Sequence, residues 1–168
     1  NPIVVLENEN CCGHDIYWGQ GKMDAFLSLA EKNIKNFITS GVTTIITSCI
    51  EGYRTFKIDY PKYFHNFEEK FEVKHIIEYL YEKWKKGEIN ISPKKKLEGN
   101  IQLTFHDPCK MSRFLPDSNN LMSQVREIFN ALDNNYFKFN EMEHHGRDSL
   151  CCGIGSWINC NERSKALR

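Results

Sequence analysis

The chain has 168 residues, of which 40% are hydrophobic and 12% aromatic, so it can bury the core of one domain or of two small ones. Its 22 basic and 22 acidic side chains cancel, which leaves no electrostatic footprint for nucleic acid or for an anionic membrane surface. No apolar run approaches the roughly 20 residues that cross a bilayer, and we expect no signal peptide. Because the sequence starts at Asn1 and ends within a helical pattern, we expect it to be a fragment.

The first half of the chain alternates strand-like and helix-like patterns. Apolar residues recur every three or four positions from Met23 to Ile38, and Gly41 follows as a helix stop. Pro61 is expected to end a short helix, because proline cannot continue the helical hydrogen bonds. In chain order the patterns predict a strand at 3–6, a helix at 23–38, a strand at 42–48, a helix at 53–59, a strand at 71–74 and a helix at 76–84.

A polar stretch between residues 85 and 100 precedes the second half. It contains Gly87, Pro93 and Gly99, which is typical of a boundary between two units. We therefore predict a first module at 1–88, a linker at 89–100 and a second module at 101–168. In the second module we predict a strand that starts at Ile101 and ends near Asp107, a helix at 121–132 and a strand at 136–139.

Strands and helices that alternate in this way predict an α/β fold with mainly parallel sheets, flanking helices and two pseudo-repeated modules. Cys11, Cys49 and Cys109 each follow a predicted strand. The carboxyl ends of parallel strands share one edge of a sheet, where open α/β folds bind their ligands. Cysteines that are distant in sequence can therefore meet in space.

Seven cysteines are the main chemical signal of the sequence. A disulfide framework is one interpretation, but the odd number, the missing secretory signal and the two adjacent pairs speak against it. Scattered buried thiols are a second interpretation, and a metal or redox role is the third and favoured one. The seven are Cys11, Cys12, Cys49, Cys109, Cys151, Cys152 and Cys160.

Two of the cysteine pairs form an internal repeat, Cys11-Cys12-Gly13 and Cys151-Cys152-Gly153, each followed by a tryptophan (Trp18 and Trp157). The side chains of adjacent cysteines diverge, so they fit one tetrahedral zinc ion poorly and a larger iron–sulfur cluster better. The glycine after each pair allows close approach of the backbone and amide hydrogen bonds to sulfide, which tune a reduction potential.

These motifs resemble a known family. The segments CCGHD at 11–15, TSC at 47–49 and YRTFKIDYP at 53–61 are similar to the first CCG module of heterodisulfide reductase-like proteins. FHDPC at 105–109 and SLCCG at 149–153 resemble the opening of the second module. Relatives of that family include iron–sulfur subunits of glycolate, lactate and anaerobic glycerol-3-phosphate oxidation.

The resemblance implies that the cysteines ligate a [4Fe–4S]-type cluster, non-cubane in the best-studied members, at a site where a disulfide or related substrate is reduced. It does not identify a catalytic residue. Carried over by position, the implied ligands are Cys11, Cys12 and Cys49 in the first module, and Cys109, Cys151 and Cys152 in the second.

Neither module shows the full family pattern C…CC…CxxC. Gly52 replaces the last cysteine of the first module, whose first cysteine would precede Asn1. The closing CxxC of the second module would follow Arg168, and Cys160 comes too early for that role and is interpreted as a helix thiol. Three thiolates could hold a cubane with one open iron, or a zinc ion with a fourth ligand from histidine or water, or could remain empty.

Several polar side chains near the motifs have two interpretations each. His14 and His106 are either ligands or proton donors near a cluster, or structural imidazoles. Arg54 and Lys57 either offset the negative charge of a cluster or face water. The two glutamates and two histidines at 141–145 are expected to be solvated rather than to bind a metal.

We therefore expect an iron–sulfur electron-transfer domain of an oxidoreductase linked to disulfides, quinones or 2-hydroxy acids. Its expected partners are other redox subunits that carry iron–sulfur clusters or flavin, with no nucleic acid. We expect a cytoplasmic location, with membrane association only through a partner. The alternative is a zinc-binding or metal-free assembly module without redox activity, which Gly52 favours.

Overall fold

The computed structural model describes residues 9–92, 99–116, 118–132 and 135–153. The predicted strand at 3–6, Trp157 and Cys160 lie outside these residues. The chain divides into two compact units, Asn1–His75 and Ile76–Arg168. Residues 76–88, which the sequence interpretation assigned to the first module, group with the second unit, while the limits of the modules and linker stay a prediction.

The first unit combines a short parallel sheet with helices. β1 and β2 pair in parallel, from Thr44 opposite Glu72 to Thr47 opposite His75, as the predicted α/β class requires. The predicted helix stop is confirmed by Gly41, which has a φ of +66° directly beyond α1. After a π-helical turn at Asp15–Gly19, the elements are α1 (Met23–Thr39), β1 (Thr44–Thr47), α2 (Ile50–Arg54), a second π-helical turn (Thr55–Asp59), α3 (Tyr60–Tyr63), α4 (Phe67–Lys70) and β2 (Glu72–His75).

Aromatic side chains fill the core of the first unit. Phe26 on α1 and Tyr60 on α3 have no exposed surface, and their rings meet edge to face at 5.8 Å between centroids. Phe56 meets Tyr60 in the same way at 5.0 Å. This is the arrangement that the quadrupoles of aromatic rings favour. The core therefore fixes α1 against the helical segment that follows β1.

The helical segment after Cys49 is longer than predicted. It runs from Ile50 to Tyr63, and Pro61 lies in the first turn of α3, so the prediction that Pro61 ends a helix was wrong. The second π-helical turn explains how the chain continues. The Tyr60 N–H donates to the Thr55 carbonyl five residues earlier, and this wider turn accommodates a proline that has no N–H to donate.

The second unit repeats the pairing of two parallel strands. Its elements are α5 (Ile76–Lys85), β3 (Ile101–Leu103), α6 (Cys109–Phe114), α7 (Ser118–Asn130), β4 (Phe137–Phe139) and a 3₁₀ turn (Gly146–Asp148). β3 and β4 run in parallel, from Ile101 opposite Phe137 to Leu103 opposite Phe139. The strand from Ile101 thus ends before the predicted Asp107, and Cys109 is the first residue of a helix that the sequence patterns did not predict.

Buried residues of α6 and α7 form the core of the second unit, with Met111, Leu121 and Val125 almost fully enclosed. α7 also packs along α5. In the part of the chain that the structure describes, no helix combines the length and apolar character that a membrane span requires.

Candidate metal centre

The first cysteine pair lies directly on the aromatic core, just ahead of the turn Asp15–Gly19. Gly13 has a φ of +86°, and a Cβ at this position would lie 2.9 Å from Cδ2 of Phe26. Both the left-handed backbone and the lack of room therefore require glycine here. The glycine of the CCG motif is what allows the cysteine backbone to approach the core this closely.

Backbone amides that follow the pair point at its sulfurs. The Gly13 N–H donates to Cys11 Sγ at 3.4 Å, and the His14 N–H donates to the Cys12 thiol. Hydrogen bonds of this kind stabilise negative charge on sulfur, and in iron–sulfur proteins they help to set the reduction potential. The backbone is thus arranged to stabilise negative charge on both sulfurs.

Burial raises the pKa of the Cys12 thiol from 9.0 to about 11, despite the hydrogen bond from His14. The neighbouring Cys11 and Cys49 raise it further, because a second negative charge nearby disfavours ionisation. Without a metal, Cys12 therefore keeps its proton at neutral pH. A metal that binds here must displace that proton, as is usual for thiolate ligands.

Cys49 lies between β1 and α2, close to the Cys12 thiol. Its N–H donates to Oγ1 of Thr47 at 3.2 Å, which fixes the turn between β1 and α2. A Cβ at Gly52 would lie 3.8 Å from Cβ of Cys49 and 4.0 Å from Sγ of Cys12. Cys12 and Cys49, predicted as ligands of one module, are therefore brought together beside Gly52.

Two buried side chains that the sequence interpretation missed hold the backbone of the cysteine pair. Asn33 on α1 donates from Nδ2 to the Cys11 carbonyl at 2.9 Å, and the Tyr60 hydroxyl donates to the Cys12 carbonyl at 3.1 Å. Asn33 interrupts the apolar face of α1. A buried asparagine within an apolar stripe was the one signal available, because such a group must find hydrogen-bond partners.

The cationic candidates after Cys49 have structural partners. Arg54 is buried, donates to Oδ2 of Asp59 at 2.6 Å and lies 4.3 Å above the Trp18 ring. Lys57 donates to the hydroxyl of Tyr53 at 2.8 Å. Arg54 belongs to a buried ion pair, so the interpretation that it faces water was wrong, and its role as a cluster counter-charge stays a prediction.

His14 is also buried, and its Nδ1 lies 3.0 Å from Oγ1 of the fully buried Thr55. Its Nε2 lies 3.9 Å from a carboxylate oxygen of Glu51. These contacts give the imidazole a structural role between the cysteine pair and the helical segment that follows β1.

In the second unit, Asp107 of the HDPC motif organises the loop that carries the other cysteine pair. Its fully buried carboxylate accepts from Nη1 and Nη2 of Arg126 at 2.9 and 2.6 Å, and from the Gly146 N–H at 2.6 Å. Burial by itself would raise the pKa of Asp107, but these hydrogen bonds outweigh it and lower the pKa below its ordinary value. Glu141 holds the other side of the Arg126 guanidinium.

Carbonyl groups just before the second cysteine pair are fixed as well. Nε2 of His106 lies 2.9 Å from the carbonyl of Leu150, and Nη1 of Arg113 donates to the carbonyl of Ser149 at 2.8 Å. The Gly153 N–H then donates to Cys151 Sγ at 3.4 Å, with a φ of +82° at the glycine. Both CCG motifs thus share one local geometry, and the HDPC segment is hydrogen-bonded to the second of them.

The donor set suits a multi-iron cluster better than one ion. All six cysteines within the described residues are free thiols, so none of them supports the disulfide interpretation. Among those residues, no group of three or more His, Cys, Asp or Glu side chains is arranged to hold a metal ion. In the first unit, Cys11 and Cys49 both lie close enough to Cys12 to raise its pKa. An iron–sulfur cluster can take such adjacent ligands, which a single tetrahedral ion accommodates poorly.

Comparison with known proteins identifies the family. The CCG cysteine-rich domain family matches residues 2–57 and 103–168, so it covers most of the chain, once in each half. The chain belongs to this family, which confirms the resemblance seen in the motifs.

Three relatives illustrate the range of the family. The chain is 30% identical, over 98% of its length, to a subunit of the dihydromethanophenazine:CoB–CoM heterodisulfide reductase of Methanosarcina acetivorans, and it covers 38% of that subunit. It is 36% identical, over 99% of its length, to "Probable iron-sulfur-binding oxidoreductase FadF" of Bacillus subtilis, of which it covers 22%. It is 30% identical, over 93% of its length, to an "Uncharacterized iron-sulfur protein" of Methanocaldococcus jannaschii, of which it covers 27%.

The chain thus spans between a fifth and two fifths of the length of these relatives. No solved structure matches it.

Proposed function

We propose that this chain is an iron–sulfur electron-transfer domain of an oxidoreductase, in which the cysteines of each CCG module ligate a cluster. The single observation that carries the proposal is the repeated geometry of the two motifs. In both, a glycine with positive φ directs its N–H at the first cysteine sulfur, at 3.4 Å. An amide aimed at sulfur stabilises a thiolate, which is the form of cysteine that ligates an iron–sulfur cluster.

The proposed ligands are Cys11, Cys12 and Cys49 in the first unit, and Cys109, Cys151 and Cys152 in the second. When bound, a cluster of the proposed [4Fe–4S] type would supply a one-electron carrier. The protein's part is to hold iron through thiolates and to stabilise added negative charge through the Gly13, His14 and Gly153 amides. The names of the relatives, which include iron–sulfur proteins and a component of a heterodisulfide reductase, support this chemistry.

Gly52 gives the first site a distinctive property. Since no thiolate comes from this position, the closing CxxC of the family pattern is incomplete in the first unit. A Cβ here would lie 3.2 Å from Oγ1 of Thr47 and 4.0 Å from Sγ of Cys12, so the position borders the proposed ligands. The same feature supports the alternative function, a zinc-binding or metal-free assembly module. Metal content separates the two.

The partners that we propose are redox subunits with iron–sulfur or flavin groups. This follows from one relative being a component of a heterodisulfide reductase and another an "EtfAB:quinone oxidoreductase". Disulfide, quinone-linked and 2-hydroxy-acid systems are the candidate substrates. We place the protein in the reducing cytoplasm, where free thiols persist.

Anaerobic reconstitution with iron and sulfide tests the proposal. We expect broad visible absorption, an electron paramagnetic resonance signal on reduction, and iron and sulfide in matching amounts. Cys12→Ser and Cys152→Ser should each lower the iron content, whereas Cys160→Ser, which changes a cysteine outside both motifs, should not. Zinc as the only bound metal, or unchanged iron content in both motif variants, would refute the assignment.

A further inference from the structure

Asn33 and Tyr60 form a buried chain of hydrogen bonds beneath the first cysteine pair, which we call the carbonyl clamp. Asn33 is 3% exposed and Tyr60 is 0% exposed. Nδ2 of Asn33 donates to the Cys11 carbonyl at 2.9 Å and to the Tyr60 hydroxyl at 3.0 Å, which uses both of its hydrogens. The Tyr60 hydroxyl passes its own hydrogen to the Cys12 carbonyl at 3.1 Å.

Because a peptide bond is planar, a side chain that fixes the Cys12 carbonyl also fixes the Gly13 N–H of the same peptide. In a trans peptide the C=O of one residue and the N–H of the next point in opposite directions. The clamp holds the Cys12 carbonyl toward the core, so the Gly13 N–H of the same peptide faces away from the core. There it donates to Cys11 Sγ at 3.4 Å. The position of this amide is therefore set by a hydroxyl on the other side of the peptide plane.

We propose that Asn33 and Tyr60 are positioning residues, which raise the reduction potential of the cluster by holding the Gly13 amide on the Cys11 sulfur. The inference rests on the proposed function. Reduction adds negative charge to a cluster and its thiolates, and hydrogen bonds to sulfur stabilise the more negative state. A clamp that fixes such a bond lowers the free energy of the reduced form relative to the oxidised form.

Core packing alone does not account for these two polar side chains. The Tyr60 ring packs against Phe26, Phe56 and Phe67 at centroid distances of 5.8, 5.0 and 5.4 Å, contacts that a phenylalanine would also make. Burying a hydroxyl and an amide costs free energy unless both are hydrogen-bonded. In this core, the bonds that compensate lead to the two cysteine carbonyls.

Tyr60→Phe removes the hydroxyl and leaves the ring, and Tyr63→Phe is its matched control. Tyr63 lies on the same short helix, but its hydroxyl bonds to that of Tyr17 at 2.9 Å. In an anaerobic redox titration followed by electron paramagnetic resonance, we expect Tyr60→Phe to shift the equilibrium toward the oxidised form by up to about tenfold. For a one-electron couple, that is a midpoint lower by up to about 59 mV. Tyr63→Phe should titrate like the wild type, and an identical titration of Tyr60→Phe would overturn the inference.

Amide hydrogen exchange in the metal-free protein tests the clamp without a cluster. The Gly13 amide should exchange several-fold faster in Tyr60→Phe and at the wild-type rate in Tyr63→Phe. If the wild type takes up no cluster, the proposed function fails, while the exchange rates still decide whether the clamp exists. An unchanged Gly13 rate in Tyr60→Phe refutes the clamp whatever the cluster does. If Tyr60→Phe fails to fold, Asn33→Leu decides instead. It removes the N–H that orients the Tyr60 hydroxyl but keeps the hydroxyl, so we expect the same directions of change with smaller sizes. An unchanged Gly13 exchange rate in a folded Asn33→Leu would then refute the clamp.

Discussion

Asp107 is expected to be the most important single anchor of the second cysteine loop. Its buried carboxylate accepts three hydrogen bonds, two from Arg126 and one from the Gly146 N–H, at distances between 2.6 and 2.9 Å. Breaking a buried ion pair by removing one partner costs about 3–5 kcal/mol. Since Arg126 keeps Glu141 as a partner in Asp107→Ala, we expect the lower end, about 3 kcal/mol of unfolding free energy. Asp107→Asn, which still accepts one or two bonds, should lose about 1–2 kcal/mol.

Urea denaturation of the metal-free protein measures these losses, with Glu141→Gln as the control. Glu141 bonds the same guanidinium from a more exposed position, so its loss should cost about 1 kcal/mol or less. Amide exchange at residues 146–153 should accelerate in Asp107→Ala and not in Glu141→Gln. Equal stabilities of Asp107→Ala and Glu141→Gln, or unchanged exchange in that loop, would refute the reasoning. Because the pKa of Asp107 is lowered in the folded state, its stabilisation is present above pH 3.8 and is lost as the pH falls further.

Three further predictions concern the first unit. Gly13→Ala combines a strained φ with a contact at 2.9 Å to Phe26, so calorimetry should show a lower melting temperature than for Gly21→Ala. Gly21 also has a positive φ, of +63°, but a Cβ there meets nothing within 4 Å. Equal melting temperatures would contradict the role of crowding. Gly52→Cys should raise the iron content after reconstitution, while Gly52→Ala, which adds the Cβ without sulfur, should not; equal iron in the two would show that the position does not face the site. Because the pKa of Cys12 is raised in the folded state, its contribution to the unfolding free energy of the metal-free protein is present below pH 9 and should be lost as the pH rises from 9 toward 11. The unfolding free energy of a Cys12→Ser variant should not show this fall.

The sequence predicted the elements that follow from periodicity. α1 and α7 were expected from apolar spacing of three and four, and their limits lie within a few residues of the structure. β1 and β2 were expected from short β-branched or apolar runs. These segments are predictable because each buries one continuous face, so the pattern along the chain reports the packing directly.

Other features depend on contacts that no local pattern encodes. Pro61 is a helix breaker by its chemistry, and only the π-helical turn before it, stabilised by core packing, allows the helix to continue. The short helix α6 has no long apolar period and begins at a cysteine. The sequence around Arg54 does not distinguish an arginine that faces solvent from one that pairs with a buried carboxylate. In the structure Arg54 pairs with Asp59 inside the unit. Such contacts cannot be read from a local sequence pattern, because they depend on the tertiary structure.

In the candidate site, too, some residues could be predicted from the sequence and others could not. The cysteines and the glycines after them could be proposed from the sequence, because the chemistry of thiolates restricts which residues can serve, and their role as ligands stays a prediction. The residues that position the cysteine backbone could not be identified from the sequence, since they bind backbone carbonyls, which every residue has. In the first unit Asn33 and Tyr60 hold the two cysteine carbonyls, whereas in the second His106 and Arg113 hold the carbonyls just before the pair.

In both units the glycine donates its N–H to sulfur at 3.4 Å, although the side chains that hold the nearby backbone carbonyls differ in type and in sequence position. Any residue that donates to a backbone carbonyl from the correct direction can perform this function, so the two halves need not share these residues even though they share the CCG motif. The motif specifies the proposed ligands and the conformation of the glycine. The surrounding helices and loops specify how firmly that conformation is held, and this is where the two units are expected to differ in reduction potential.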